Sequence, residues 1–379
     1  MNGRERILAA LSPEGSPEIP AVICYESIFI RDSWDDLAGL PWWYAEAPDI
    51  PRQAQWRAEV MRRICQDWFE LPSCPSRAER RILSIVERGG RVFRVDSRTG
   101  EETLLEQPRV SGWDPSRAAA SVHPVAPPST PDEVDAAIPA PSPDAAAVSR
   151  ADGRCDLARR LLDGPGRALF PLRHVSSPLW SCYDLWGFEG LMTRVAEEPD
   201  LVRRACARYL ARAISRIGEA AALGARGIWV EECMTDMIGP DAFRRLNLPF
   251  LDALLGEIRA RGLASFYYYC GSPARTWDMI LGLPADSLAL EEGKKGFSVD
   301  IEEVVDRVGG RRCVLGNLDA IALLPRASED DLRGEIGRQI RAGRRNGSRF
   351  IMSIGSPVTP ETPVPRVRWY CDTARELGR

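Results

Sequence analysis

The sequence predicts an α/β barrel built on parallel strands. Short apolar runs recur through the second half of the chain, and each ends in polar, reactive residues: 227–233 reads Gly-Ile-Trp-Val-Glu-Glu-Cys, 264–271 Ala-Ser-Phe-Tyr-Tyr-Tyr-Cys-Gly, 313–319 Cys-Val-Leu-Gly-Asn-Leu-Asp and 349–356 Arg-Phe-Ile-Met-Ser-Ile-Gly-Ser. A fifth run, 287–292, Ser-Leu-Ala-Leu-Glu-Glu, has the same form. Each is short enough to be a buried strand. Helix-like sequence separates each run from the next, and right-handed crossovers then make the sheet parallel. Parallel strands place all their C-terminal ends on one face, so reactive residues distant in sequence gather there, as at a barrel mouth.

In chain order, residues 3–12 read as a short helix, and 19–26, Ile-Pro-Ala-Val-Ile-Cys-Tyr-Glu, as a first strand ending in a carboxylate. Residues 31–70, rich in Trp and Arg, read as helix and loop. Between 80 and 95 two alternating runs flank Gly89-Gly90, a β-hairpin signal, and a second turn follows at 97–100. Residues 113–152 are rich in Ala, Pro and Ser, with one helix start at Thr130-Pro131-Asp132-Glu133. We read 110–160 as a surface insertion or long connection within one domain of residues 1–379; a domain boundary is the alternative that prolines leave open. Beyond 167, strands are expected at 167–175, 227–232, 264–269, 287–290, 312–315 and 350–354. Helices are expected at 189–223 (interrupted at Glu198-Pro199-Asp200), 240–261, 273–283, 300–308, 328–345 and 367–377. Ser328 and the acids after it form an N-cap and an acidic first turn.

A chain of 379 residues can hold one large barrel or two ordinary domains. At 44% hydrophobic and 27% charged it is ordinary for a globular protein. The net charge of -4 gives no reason to expect nucleic acid, and the arginines alternate with Asp and Glu along helical stretches such as 328–345, as on a solvated face. No segment approaches the roughly 20 apolar residues that cross a bilayer. The charged start, Met-Asn-Gly-Arg-Glu-Arg, is unlike a signal peptide, so a cytoplasmic protein without membrane or nucleic-acid partners is expected. The 10 cysteines are scattered without a CxxC pair, which speaks for small buried hydrophobes and against a disulfide framework.

Alternation sends Glu231 and Glu232 to opposite faces of their strand, so one at most enters the mouth. A carboxylate there can bind a metal or act as general acid or base; the plainer role is a salt bridge to a nearby Arg. Cys233 and Cys270 end neighbouring strands, where two thiols can share a metal, although a single Cys is most often inert. Glu291 and Glu292, then Asn317 and Asp319, then Ser356 come from the following strands. His174 is expected near the mouth and His123 in the Ala/Pro-rich stretch; with 2 histidines in all, a site built on several is excluded. GxxxxGK[ST], GxGxxG after a strand and GxSxG do not occur.

The order Gly-Ile-Trp-Val-Glu-Glu, Leu-Pro-Phe (248–250), Tyr-Cys-Gly, Val-Leu-Gly-Asn-Leu-Asp and Ser-Ile-Gly-Ser-Pro with Thr-Pro-Val-Pro behind it resembles the uroporphyrinogen decarboxylase superfamily. It is most similar to the branch containing the corrinoid and coenzyme M methyltransferases, well over 165–379 and weakly before. The resemblance implies a (β/α)8 TIM barrel, here with an N-terminal β-hairpin and helical additions. The decarboxylases carry Arg-Gln-Ala-Gly-Arg-Tyr near the N-terminus to grip propionates; here Glu26-Ser27-Ile28-Phe29-Ile30-Arg31 follows the first strand, which speaks against uroporphyrinogen itself as substrate. The methyltransferases bind zinc through His-x-Cys-Gly and a later Gly-Cys, and the matching positions here are Tyr268, Cys270 and Ser356. A zinc site is then lost, or rebuilt on Cys270 and Cys233 with Glu231 or Glu232 and Tyr268.

The resemblance implies a methyl or alkyl transferase acting on a small thiol or methylated compound, with a corrinoid, carried by a corrinoid protein, among its methyl donors. On that reading Glu231, Glu232, Tyr268, Asn317 and Asp319 are the catalytic candidates, and Glu26, Arg31, Arg173, His174, Glu291 and Ser356 contact the substrate. Cys270, Cys233 and Glu231 are the metal candidates, and a homodimer is the oligomer considered. Three alternatives stay open. One is a metal-free lyase decarboxylating a small or tetrapyrrole acid held by Arg31, Arg173 and His174. Another is a glycoside hydrolase using Glu231/Glu232 and Glu291/Glu292. The last is a barrel that binds a ligand without converting it.

Overall fold

The computed structural model describes residues 1–108, 124–293 and 296–379. Its main sheet contains β1 (Trp68–Glu70), β5 (Phe170–Ser176), β6 (Gly227–Cys233), β7 (Ala264–Cys270), β8 (Ser287–Leu290), β9 (Cys313–Leu315) and β10 (Phe350–Ile351), in that order across the sheet. Every pairing is parallel, and the intervening helices lie outside, as in a TIM barrel. The register is continuous: Leu172 faces Gly227, Gly227 faces Ala264, and Cys233 faces Cys270.

Residues 20–23 stand where an eighth strand would close the barrel. The Met352 N–H donates to the Pro20 carbonyl at 2.8 Å and the Val22 N–H to Met352 at 2.9 Å, while the Asp67 N–H donates to Ala21 at 3.0 Å. The strand expected at 19–26 is reduced to a single bridge, Ala21 with Met352. The cause is local. Pro20 has no N–H, and the Asp67 and Gln66 side chains accept from Ala21 N (2.7 Å) and Ile23 N (2.9 Å) in place of a neighbouring backbone. Tyr25 then adopts a left-handed conformation (φ 53°) and the chain turns into the helix Glu26–Asp32.

Residues 31–70 are helical at Trp34–Ala38 and Ile50–Ile64, but they end in β1, a strand the sequence reading missed. Three residues are too few to show a period. The hairpin forms as expected, β2 (Leu83–Arg88) with β3 (Arg91–Asp96), Arg88 facing Arg91 across two glycines at positive φ. After the turn at 97–100 a third strand joins, β4 (Glu102–Leu105). A short helix, Arg77–Ile82, capped by Ser76 and Glu79, takes the start of the first expected run. Thr130 caps Pro131–Ala137 as read, and Ala145–Ala151 and Asp156–Asp163 add helices where one was expected. His123 and the rest of 109–123 lie outside the described residues. The helix expected at 240–261 is broken by a π-turn at Phe243–Asn247, so that Pro249 falls in the first turn of Leu248–Ala260, where no N–H is needed.

Aromatic rings fill the bottom of the barrel. Trp68 meets Trp229 and Phe266 edge-on at 5.8 and 5.7 Å, and Phe170 meets Phe266 at 5.7 Å. A second apolar cluster, including Val134, Leu179, Trp186, Val202 and Leu246, packs the helices Pro131–Ala137, Tyr183–Glu197 and Pro199–Leu223 together. No helix among the described residues is long and apolar enough to cross a membrane.

Candidate active site at the barrel mouth

Register decides which side chains enter the barrel. His174 faces Trp229, which faces Phe266; one step up, Ser176 faces Glu231, which faces Tyr268; above them Cys233 faces Cys270. Trp229 packs inside the barrel, so alternation puts Glu231, Cys233, Tyr268 and Cys270 on the inner face as well. Glu232 points the other way and is 0% exposed. It accepts hydrogen bonds from Ser177 Oγ at 2.8 Å and Asn247 Nδ2 at 2.7 Å, and burial pushes its carboxyl up to about 8. Of the adjacent pair, only Glu231 reaches the mouth.

A residue that the sequence reading passed over holds Glu231. The Tyr25 hydroxyl donates to Glu231 Oε1 at 3.0 Å, and the Tyr25 ring lies edge-on to Trp229 and Tyr268 at 5.9 and 5.7 Å. Burial raises the Glu231 carboxyl, and the Tyr25 and Cys233 hydrogen bonds offset part of that rise. The Cys233 thiol sits 3.7 Å from Glu231 Oε1, and the Cys270 thiol donates to Glu291 Oε2 at 3.1 Å. The neighbouring Cys270 thiol and burial together lift Cys233 well above the ordinary thiol value. Glu231, Cys233, Cys270 and Glu291 therefore form one row across three strand ends.

The other expected site residues take supporting places. Tyr268 Oη donates to the Gly355 carbonyl at 2.8 Å and Ser356 Oγ to Glu292 Oε2 at 2.7 Å, tying the last strand end to its neighbours. Asn317 Nδ2 donates to the Val299 carbonyl at 2.7 Å. Asp319 accepts from Ile321 N and Ala322 N, both at 2.8 Å, and caps the turn after its strand. His174 stacks on Trp229 at 5.9 Å, and burial lowers its pKa.

Beside the mouth, across the Tyr25–Glu26 corner, lies a cavity of about 380 Å³. The expected substrate contacts Glu26, Arg31 and Arg173 line it, joined by Glu70 and Arg57. Trp34, Trp42, Trp56 and Trp68 give it an indole wall. Arg31 pairs with Asp32 at 2.8 Å. Arg173 donates to the Leu71 carbonyl at 2.9 Å. Glu26 accepts from the Glu70 N–H at 2.7 Å and from Gln66, and burial pushes its carboxyl up to about 8. Burial also brings the Arg57 guanidinium down to about 10. Tyr25, Trp34, Trp56, Arg57 and Glu70 were absent from the expected site. Only Tyr25 had a signal, its place at the end of an expected strand; the others come from helices and a strand with no motif of their own.

Among the described residues, no group of three or more His, Cys, Asp or Glu is placed to hold a metal. The thiols and carboxyls of the mouth hydrogen-bond in a row and do not converge on a point, and Tyr268 and Ser356 are engaged elsewhere. The residues as arranged do not fit the zinc that the resemblance implies.

The family model for uroporphyrinogen decarboxylase (URO-D) matches residues 123–377. The uroporphyrinogen decarboxylase of Solibacter usitatus is 27% identical over 157 residues, 41% of this chain and 43% of that one. That of Trichodesmium erythraeum is 25% identical over 156 residues, 41% of this chain and 42% of that one. The chain thus spans about two fifths of the length of these curated relatives. A solved structure described as a methyltransferase from Methanosarcina mazei superposes with a TM-score of 0.65 over 99% of both chains at 17% identity, a likeness of fold.

Proposed function

The chain belongs to the uroporphyrinogen decarboxylase family, and from that premise we propose that it is an enzyme transferring a methyl or alkyl group between a small thiol or methylated compound and a donor. The observation that carries this reading is the row of acids and thiols on the inner face, with Glu231 at its head. These are groups that take up or hold protons, and they suit a nucleophile that must lose one. Glu231 is the base: a carboxyl raised by burial works closer to neutral pH, where general-base catalysis is most effective. The substrate thiol gives its proton to Glu231, its sulfur forms the new S–C bond, and the bond from the donor to that carbon breaks with its electron pair staying on the donor. Tyr25 holds the carboxylate in place, and Cys233 and Cys270 line the path of the incoming sulfur. The proposed donor is a corrinoid borne by a separate protein, or a small methylated compound.

The test is methyl transfer from methylcobalamin to a panel of small thiols. Turnover is expected in the wild type, with a fall of about 100-fold or more in Glu231→Gln. No turnover with any thiol overturns the reading. A second reading, a lyase that decarboxylates a small acid, is favoured by the cavity: Arg57 and Arg173 line it, and Glu26 at about 8 is still protonated at neutral pH and can donate. Carbon dioxide release from a panel of organic acids tests it.

A further inference from the structure

We propose that the cavity beside the mouth binds a planar aromatic carboxylate, its ring against the indoles and its carboxylate on Arg57 and Arg173. The proposal rests on the enzyme reading only in treating this cavity as a seat for substrate; it does not depend on which bond is broken. The volume, about 380 Å³, is at the small end of the roughly 300–1,000 Å³ of small-molecule pockets.

The wall selects a flat apolar body. Three of its indoles have their N–H groups engaged within the protein: Trp34 Nε1 with the Leu40 carbonyl at 2.6 Å, Trp56 Nε1 with Gln53 Oε1 at 3.3 Å, and Trp68 Nε1 with the Ile23 carbonyl at 3.0 Å. What these rings offer the cavity is therefore carbon surface. Trp34 and Trp56 also brace each other, with centroids 5.1 Å apart, so the wall is pre-formed and little ordering is needed on binding.

Charge selects the other end. Arg57 is stacked on the Trp56 ring at 3.9 Å and held by Gln53. Among the described residues, neither Arg57 nor Arg173 has a carboxylate ion-pair partner. Among the described residues, the remaining charged groups facing the space are Arg31, which pairs with Asp32, and the acids Glu26 and Glu70. Glu26 is protonated at neutral pH, so two guanidiniums stand against Glu70 and the balance is positive. Guanidinium in a partly desolvated site binds carboxylate or phosphate through charge-assisted, fork-shaped hydrogen bonds.

The probes are 2-naphthoate, its uncharged isostere 2-naphthamide, 2-naphthyl phosphate and acetate, measured on the wild-type chain by calorimetry and tryptophan quenching. Naphthoate is expected to bind one-to-one and quench the indoles, with the amide about tenfold weaker or worse, the difference a charged hydrogen bond makes. Acetate alone should not bind. Arg57→Gln should bring naphthoate down to the level of the amide, and Trp42→Ala should weaken acid and amide alike. Naphthoate affinity should fall as pH rises through about 8, where Glu26 ionises beside Arg57. Equal binding of acid and amide to the wild type, or no binding of naphthoate, overturns the proposal even if Arg57→Gln does not fold. Tenfold tighter binding of the phosphate overturns the choice of carboxylate. Binding without turnover in the methyl-transfer assay leaves the cavity assignment standing and sinks only the reaction.

Discussion

Glu231 and Glu232 are neighbours in sequence, yet one is a mouth residue and the other a structural one. Glu232 titrates near 8 in the fold against an ordinary 4.5, so the folded state holds its proton where the unfolded chain has lost it. Its contribution to stability is therefore fullest below about pH 4.5 and drains away up to about pH 8. Glu232→Gln should flatten the decline of Tm across that window. The Asn247 amide, whose Oδ1 is buried without a partner among the described residues, can flip to accept from the new Gln. An unchanged slope would mean that Glu232 does not hold its proton. Tyr25→Phe removes a donor to Glu231 and should raise that carboxyl's pKa, read by NMR titration of labelled Glu or as an upward move of the acid limb of the pH–rate profile. Glu231 could be seen in the sequence as one of two; Tyr25 had only its place at a strand end, because the left-handed turn that aims it is invisible to period counting.

The strands show why some elements are legible. β6 and β7 are seven-residue runs, long enough for their ends and their alternation to be read, though not which of the two faces is inward. β1 and β10 have three and two residues, and no pattern can be read from so few. Within β6, Gly227 shows packing acting on a single position. A Cβ there would lie 2.6 Å from Phe266 Cε2 and 2.8 Å from Phe170 Cε1, both rings fully buried. Gly227→Ala should cost about 1–3 kcal/mol of stability in urea unfolding, and Phe266→Leu in the same chain should restore part of it. Full stability of the single variant would show that the two rings can give way.

For the whole molecule, the decisive place is the seam at Ala21. The Asp67 carboxylate, 1% exposed, accepts from Ala21 N at 2.7 Å and from Arg6 Nη2 at 2.6 Å, with Arg375 Nη1 at 3.6 Å, and so joins the first helix, the closing segment and the last helix. Asp67→Ala leaves Arg6 with Glu18 and Arg375 with Asp372 but removes the acceptor of Ala21 N, and should cost roughly 1–3 kcal/mol in chemical denaturation. Asp67→Asn, which keeps an acceptor for Ala21, should cost less; equal losses would mean that charge alone matters at the seam. The sequence by itself determined the alternation of strands and helices from 167 onward and the acids and thiols that end those strands, because periodicity and strand-end chemistry are properties of contiguous residues. Only the tertiary structure decided that Glu231 enters the mouth, that Asp67 and Gln66 close the barrel, and that Trp34, Trp56 and Arg57 border the same cavity as Arg173. Those are contacts between segments brought together by packing, and no local pattern encodes them.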